Sequence, residues 1–260
     1  MRAACCEATV LSHEVIADDI RLLRVLWPDR DHAPHAGQFF TLRAWGADEA
    51  PFLSRPISVH KWEPQTQTVE FLYQVVGEGT RKLAKLKPGD PFQLTGPMGN
   101  GFDIASLTKT YKKFAVVGGG IGTAPMYQVA RELAAAGCKP DVFFGFRDTP
   151  YCMEEYRSLA NCVKVSTDTG RVGFHGFVTQ LYDPADYDAV LVCGPTVMMK
   201  NAARLCAEKN TPCFVSLEKK MACGIGACLG CTCETKSGEG KSVCKNGPVF
   251  DATEVFGWQS

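Results

Sequence analysis

The sequence predicts an α/β protein with an all-β front: an N-terminal antiparallel β-barrel over residues 1–108, a parallel α/β domain over 109–212 and a small C-terminal domain over 213–260. Three observations carry this expectation. Short apolar stretches broken by turn residues fill the first part, and apolar strands alternating with a helical pattern fill the second. In the third, four cysteines crowd the eleven residues "CGIGACLGCTC". A chain of 260 residues is long enough for two sizeable domains and an appendage.

Composition narrows the partners. Hydrophobic residues make up 45% and charged residues 22%, which is ordinary soluble usage. The 28 Lys and Arg balance the 28 Asp and Glu, so no global field attracts nucleic acid or an anionic membrane, and neither is expected as a partner. The first residues carry Glu7, His13, Glu14, Asp18 and Asp19 where an export signal needs an apolar run, so a cytoplasmic location is expected. The run "FAVVGGGIGTAPMYQVA" is uncharged for 17 residues, but four glycines and a proline make it too short and broken to span a membrane. Thirteen cysteines in a reducing compartment do not read as a disulfide set, so a cluster among them points to metal or redox chemistry.

The barrel strands are read from "RLLRVLWP", "GQFFTLR", "PISVHKW", "VEFLYQVV" and "PFQLTGP", punctuated by Gly-Asp, Gly-Pro and Pro-Gly signals. The second part opens with the strand "KFAVVGGG". Its helix, "PMYQVARELAAAG", places Met126, Val129, Ala130 and Leu133 on one face and Gly137 at the C-terminal cap. "DVFFGF", "CVKVSTD" and "DAVLVCG" follow as buried strands of a parallel sheet. The last 48 residues have little hydrophobic periodicity, so something other than an apolar core must hold them.

Cys223, Cys228, Cys231 and Cys244 are spaced C-x4-C-x2-C-x12-C, and the first three match the plant-type spacing of a 2Fe-2S centre. Thiolates that converge on so small a rhomb need a tightly wrapped backbone, and Gly224, Gly226 and Gly230 are expected to give it positive φ and close approach. Cys233, two residues after Cys231, points the other way on an extended chain and is the odd one out. Tetrahedral zinc also accepts four thiolates; its sites commonly carry paired C-x2-C knuckles, and this chain has one such pair, so the spacing favours iron–sulfur.

Two loops carry a nucleotide signature. "VVGGGIGTAPM" leads from a strand into a helix, with Gly120, Gly122 and Pro125 in a G-x-G-x-x-P frame that lets a pyrophosphate approach the helix N-terminus; a plain tight turn has the same look. "LVCGPTVMMK" sets Cys193, Gly194 and Pro195 at a strand's carboxyl end, where open sheets bind ligands, although a cysteine there is also an ordinary core residue. Arg147 and Asp148 follow the domain's second strand, "DVFFGF"; an acid suits a free ribose hydroxyl and an arginine a 2′-phosphate, so spacing leaves NAD and NADP both open. In the front half, "LSRPISV" offers the Arg55 fork, the fixed turn of Pro56 and the Ser58 hydroxyl, and "VVGEGTRK" places Gly77 and Gly79 before Thr80 as an anion cradle or a hairpin turn.

Taken in order, Arg55-Pro56-Ile57-Ser58, Gly79-Thr80, "GGGIGTAP", "CGP" and the cysteine cluster resemble the ferredoxin-reductase-like flavoproteins. "MACGIGACLGCTC" with "VCKNGPVF" and "STDTGRVGFHGFVT" is similar to the electron-transfer subunits of bacterial two-subunit, NAD-dependent dihydroorotate dehydrogenases, along nearly the whole chain. The resemblance implies FAD held by Arg55, Pro56, Ile57, Ser58, Leu72, Tyr73, Gln74, Gly79 and Thr80, and NAD(H) in the middle domain at Gly120, Gly122, Cys193, Gly194 and Pro195. It implies a 2Fe-2S cluster on Cys223, Cys228, Cys231 and Cys244. At Gln74 the family pattern has a basic residue.

The implied activity is an NAD-linked flavin and iron–sulfur oxidoreductase in pyrimidine biosynthesis, with no catalytic side chain. A nicotinamide passes two electrons as hydride, a 2Fe-2S centre passes one, and a flavin converts between them. The implied partner is an FMN-containing dihydroorotate dehydrogenase catalytic subunit, in a heterotetramer of two of each, facing Cys228 and Gly230. Two alternatives stand beside this: a small FAD and 2Fe-2S subunit of another NAD(P)H-linked oxidoreductase, of the ferredoxin-NADP or sulfide-linked type, and a non-catalytic iron–sulfur sensor or zinc-stabilised binding module.

Overall fold

A computed structural model describes residues 3–29 and 31–257. The front half is one antiparallel sheet made of β1 (Ala4–Ala17), β2 (Ile20–Leu26), β3 (Phe39–Arg43), β4 (Arg55–Ser58), β5 (Lys61–Glu63), β6 (Thr68–Gln74) and β7 (Pro91–Met98), in the order β4-β3-β7-β1-β2-β6-β5. β1 pairs with β7 through its first half and with β2 through its second, and β4 lies beside β6, so the sheet curls into a half-barrel. Alternation dictates the filling. Leu23 and Val25 of β2, Phe40 and Leu42 of β3 and Val69 and Phe71 of β6 point inward, where Phe40 meets Trp27 and Phe71 edge to face. The stretch "PISVHKW" forms two strands instead of one, because the Val59 and His60 N–H groups turn to the Gln38 and Glu70 carbonyls, both at 2.9 Å. A short helix, α1 (Glu78–Leu83), follows β6, and α2 (Ile104–Thr110) leads out of the barrel.

The second sheet is parallel: β8 (Phe114–Gly119), β9 (Asp141–Phe146), β10 (Cys162–Thr167), β11 (Phe174–His175), β12 (Ala189–Cys193) and β13 (Cys213–Ser216). β8 is buried along its whole length, as the central strand of a doubly covered sheet requires. On one face lies α3 (Thr123–Ala135), whose Met126, Val129, Ala130 and Leu133 are buried, and on the other α4 (Thr196–Glu208). α3 ends as the sequence reading expects: Gly137 has φ +78, and the Gly137 and Cys138 N–H groups close back on the Ala134 and Leu133 carbonyls.

The tail adds β14 (Thr232–Glu234), β15 (Gly240–Ser242), α5 (Val243–Asn246), β16 (Val249–Asp251) and α6 (Ala252–Phe256). β14 and β15 form a hairpin, while β16 pairs antiparallel with β13, giving the order β11-β10-β9-β8-β12-β13-β16. The boundary expected at residue 212 therefore falls before a strand of the parallel sheet, and the sheet takes its last two strands from the segment read as the tail. Among the described residues no helix is long and apolar enough to cross a membrane.

Barrel and sheet meet along a polar seam on α3, at positions spaced four, three and one apart. The His60 Nδ1–H donates to the Ala124 carbonyl at 2.7 Å, and the Trp62 N–H donates to the Gln128 side chain at 3.0 Å. Arg131 donates to the Trp62 carbonyl at 2.7 Å, and Glu132 accepts from the Ala36 N–H at 2.9 Å. Beside them Ile20, Leu22 and Leu72 pack on Ala124. Apolar burial supplies adhesion, and the directional bonds fix the rotation of α3 against the barrel.

Candidate cofactor cleft and cysteine loop

A cleft of about 370 Å³ opens where the barrel, the N-terminus of α3 and the tail meet. Arg55, Pro56, Ile57, Ser58, Leu72, Tyr73, Gln74 and Thr80 all line it, so residues from three separate stretches converge on one wall. Gly79 stands behind them: a Cβ there would lie 2.9 Å from Arg55 Cδ, so its lack of a side chain is what lets the arginine lie flat. Arg55 Nε is buried with no hydrogen-bond partner, an orphaned cationic donor of the kind a phosphate satisfies. "VVGEGTRK" is not a hairpin turn. It opens α1, and Thr80 Oγ1 accepts from the Val76 and Gly77 N–H groups, both at 3.0 Å, which caps the first turn. The Tyr73 hydroxyl is tethered to His13 Nε2 at 3.0 Å. Gln74, where a basic residue is the family pattern, donates to Asp19 at 2.5 Å.

The two nucleotide loops touch backbone to backbone at the carboxyl ends of β8 and β12. A Cβ on Gly122 would sit 2.5 Å from Gly194 Cα and 2.6 Å from the Cys193 carbonyl oxygen. Gly120 has φ +54, and a Cβ there would meet nothing within 4 Å, so its face is open. From this loop Ile121, Ala124 and Pro125 line the same cleft as Arg55. Cys193 is buried, and burial, with a smaller push from the Glu218 carboxylate, raises its thiol. Asp148 accepts from Thr169 Oγ1 at 2.6 Å and pairs with Arg171 at 3.2 Å.

The cysteine loop packs against the barrel. Cys228 N–H donates to Cys223 Sγ at 3.4 Å, Cys244 N–H to Cys231 Sγ at 3.4 Å and Gly226 N–H to Cys244 Sγ at 3.1 Å. The sulfurs fall into two pairs, Cys223 with Cys228 and Cys231 with Cys244. Two thiols on each of two centres is the donor set of a two-iron rhomb, and amide hydrogen bonds to thiolates are what such a centre uses. Partial burial raises the Cys223 thiol, but N–H groups of Cys228, Ile225 and Ala227 and the Cys228 thiol outweigh it and bring it to about 6. Cys244 is pushed up to about 12, by burial and then by its hydrogen bond with Cys231. Cys233 turns away, its thiol directed at the Lys241 carbonyl at 3.4 Å inside the β14–β15 hairpin.

Positive φ in the loop falls on Gly224, Gly226 and Leu229 and not on Gly230. A Cβ on Gly230 would lie 3.6 Å from Cys228 Sγ, an ordinary van der Waals contact, so neither positive φ nor close approach requires glycine there. Gly224 abuts the barrel, where its Cβ would meet Met98 Sδ at 2.8 Å. Sequence reasoning missed the wall that joins loop to cleft: Ser216, Leu217, Glu218, Lys219 and Met221 line the cleft just before Cys223. Glu218 is solvent-accessible yet sunk among protein atoms, which raises its carboxyl. A lone acid in "VSLEKKM" carries no motif, so only the fold exposes it.

Comparisons with known proteins agree along the chain. Residues 218–256 match the family model for the iron-sulfur cluster binding domain of dihydroorotate dehydrogenase B. The chain is 46% identical over 220 residues to the dihydroorotate dehydrogenase B (NAD(+)) electron transfer subunit of Clostridium acetobutylicum, covering 85% of each chain. It is 39% identical to the subunit of that name in Caldanaerobacter subterraneus, covering 96% of this chain and 98% of the relative. Among solved structures, a chain of the NADH-dependent reduced ferredoxin-NADP oxidoreductase, described for flavin-based electron bifurcation, superposes with a TM-score of 0.84 at 29% identity, over 95% of this chain and 88% of that one. A Neisseria gonorrhoeae ferredoxin NADP+ reductase with bound FAD and NADP shares the fold, with a TM-score of 0.64 at 16% identity over 79% and 91%.

Proposed function

Because the chain belongs to the family of dihydroorotate dehydrogenase B (NAD(+)) electron transfer subunits, we propose that it relays electrons between an FMN-containing dihydroorotate dehydrogenase catalytic subunit and NAD, through a 2Fe-2S cluster and FAD. The observation that supports this best is the shared wall: Ser216 to Met221 border the cleft, and the chain then runs directly into Cys223. A flavin supplies conversion between hydride and single-electron transfer, and a 2Fe-2S centre supplies the single-electron step. What the chain's own residues do is hold and orient. Arg55 offers its unpaired Nε–H to phosphate while its Nη2 donates to the Leu53 carbonyl, and Ile57, Leu72 and Tyr73 present an apolar bed. Gly120 leaves its backbone open to a pyrophosphate, and Cys223, Cys228, Cys231 and Cys244 hold the cluster.

Exposure supports a place for the partner. Cys228 lies at the surface, and Ile225 and Leu229 beside it are 59% and 65% exposed, an apolar rim at the mouth of the cysteine loop. We place the catalytic subunit there, in an assembly of two of each. Mixing the loaded chain with its FMN-bearing partner is expected to give orotate and NADH from dihydroorotate and NAD, with neither subunit alone sufficing. Dihydroorotate oxidation by this chain alone, or an inert mixture of fully loaded subunits, would overturn the reading. The likeness to the ferredoxin-NADP oxidoreductase chain favours a second reading, in which reduced ferredoxin replaces dihydroorotate as the donor that drives NAD reduction.

Arg55 gives a sharper test of the cleft. Hydrogen bonds to charged groups contribute about 1.5–3 kcal/mol, so Arg55→Ala is expected to weaken FAD binding by roughly 10- to 100-fold. Titration of the FAD-stripped chain, followed by flavin fluorescence, reads the change. Unchanged affinity would remove Arg55 from the cofactor site.

A further inference from the structure

The wall between the cleft and the cysteine loop carries one group that the proposed relay leaves without a task, the Glu218 carboxyl. Its place is fixed by the end of β13. Ser216 pairs in register with Cys193 of β12, and the Leu217 N–H donates to the Pro248 carbonyl at 2.8 Å. Leu217, Pro248 and Met221 line the cleft beside Glu218, and Ile57 and Leu72 line it from the barrel, so the acid stands among apolar groups. Of the described residues lining the cleft, Glu218 alone bears a carboxyl. Among the described residues no hydrogen bond or ion pair holds its charge, and burial raises it. It stays accessible to solvent, so it can exchange a proton. The other ionisable groups of the site are suited to different work. Burial raises the Cys193 thiol, which feels the Glu218 carboxylate from β12, and burial raises the Tyr73 phenol, which is bonded to His13. Arg55 and Lys219 bring positive charge to the same cleft.

We infer that Glu218 is the proton store of the cleft: its carboxylate takes one proton from solvent when a flavin seated there is reduced, and returns it when that flavin is oxidised. This deepens the cofactor reading given above and rests on it. Charge sets the balance. A hydride from NADH brings two electrons and one proton into the cleft, and two single electrons from the cluster are matched there by one proton from solvent. Either way one net negative charge remains beside Glu218. A like charge disfavours an ionised carboxylate, and a ligand that fills the cleft displaces the water solvating it, so both effects favour the protonated acid. The proton joins a Glu218 carboxylate oxygen and no other bond on this residue changes. When the electron pair leaves, the repulsion goes with it, and Glu218 gives the proton back to water. Glu218 therefore sets how many protons travel with an electron pair, while the electrons themselves pass between flavin, nicotinamide and cluster.

The test is an anaerobic redox titration of the full chain loaded with FAD and cluster, followed by the visible flavin band from about pH 7 to about pH 9, with an infrared difference spectrum of reduced minus oxidised protein. In the parent chain the flavin equilibrium is expected to move about 100-fold per pH unit over part of this range, which is about 59 mV for an electron pair that takes up two protons. In Glu218→Gln it should move about tenfold per pH unit, or about 30 mV, the mark of one proton. Reduction should also bring up a protonated-carboxyl stretch in the parent, which shifts in deuterium oxide and is missing from Glu218→Gln. Glu218→Asp keeps an acid on the wall and should keep the second proton, so a loss in the glutamine variant alone separates the acid from damage to the cleft. One proton per electron pair in the parent across the range would overturn the inference, as would a Glu218→Gln chain with the parent slope and band. Both outcomes leave the relay standing. Failure of the parent chain to bind FAD would overturn the cofactor reading, and this inference with it.

Discussion

Replacing Cys231 by serine is expected to cut bound iron and acid-labile sulfide to about a tenth or less, and dihydroorotate-linked NAD reduction by at least about 100-fold. FAD content and NADH oxidation by ferricyanide should stay within about threefold of the parent chain, because the cleft keeps Arg55, Tyr73 and Thr80. The physical reason lies in the donor set. Cys231 is 2% exposed and paired with Cys244, whose N–H donates to its sulfur. A serine hydroxyl stays protonated where a thiol ionises, and it is too hard a ligand for iron–sulfur chemistry. Cys233→Ser is the matched control: its sulfur faces the Lys241 carbonyl, so iron content should be unchanged. Iron retained in Cys231→Ser and lost in Cys233→Ser would reverse the ligand assignment. Loss of both activities in Cys231→Ser, with the fold intact by circular dichroism, would show that NADH oxidation runs through the cluster and not directly to FAD.

How much of this was legible before folding depends on where the signal was stored. The parallel strands and α3 were plain because continuous apolar runs and a 3.6-residue period are local properties. β1 was not, although it is the longest strand: only Ala8 and Val10 are deeply buried along its 14 residues, so alternation barely shows. What makes β1 a strand is its pairing with β7 on one side and β2 on the other, and both are tertiary facts. The site shows the same division. The cysteine spacing and the Arg-Pro-x-Ser set sit within single loops and could be read directly. The wall from Ser216 to Met221 could not, since nothing in "SLEKKM" indicates that β13 will deliver it to a cleft more than a hundred residues away in sequence from Arg55. Positive φ falls on Leu229 and not on Gly230, where a Cβ would make only an ordinary contact with Cys228, so the glycines alone do not mark where the loop turns left-handed.

The glycines of "GGGIG" separate stability from binding, and Gly122→Ala should be the most damaging substitution among them. Its backbone, at φ −62 and ψ −12, is ordinary helical geometry, in which alanine is intrinsically favoured over glycine. Conformation therefore predicts a small gain, and packing predicts the reverse. The new methyl would lie 2.5 Å from Gly194 Cα and 2.6 Å from the Cys193 carbonyl oxygen, which are backbone atoms held by the β12–β8 ladder. No rotamer relieves such a contact, so the two loops must part, at a cost of about 3 kcal/mol or more. For a chain this size that lowers Tm by roughly 6–12 °C, and spreading the loops is expected to weaken NADH binding by at least about 10-fold. Gly120→Ala inverts the pattern. There φ is +54 but space is open, so strain alone costs about 1 kcal/mol, roughly 2–4 °C in Tm, while the methyl occupies the face left clear for a pyrophosphate. Calorimetry and NADH titration on the two variants read both quantities. If Gly122→Ala melts with the parent chain, the two loops are not locked together. If Gly120→Ala binds NADH as the parent does, the nucleotide passes elsewhere along the sheet.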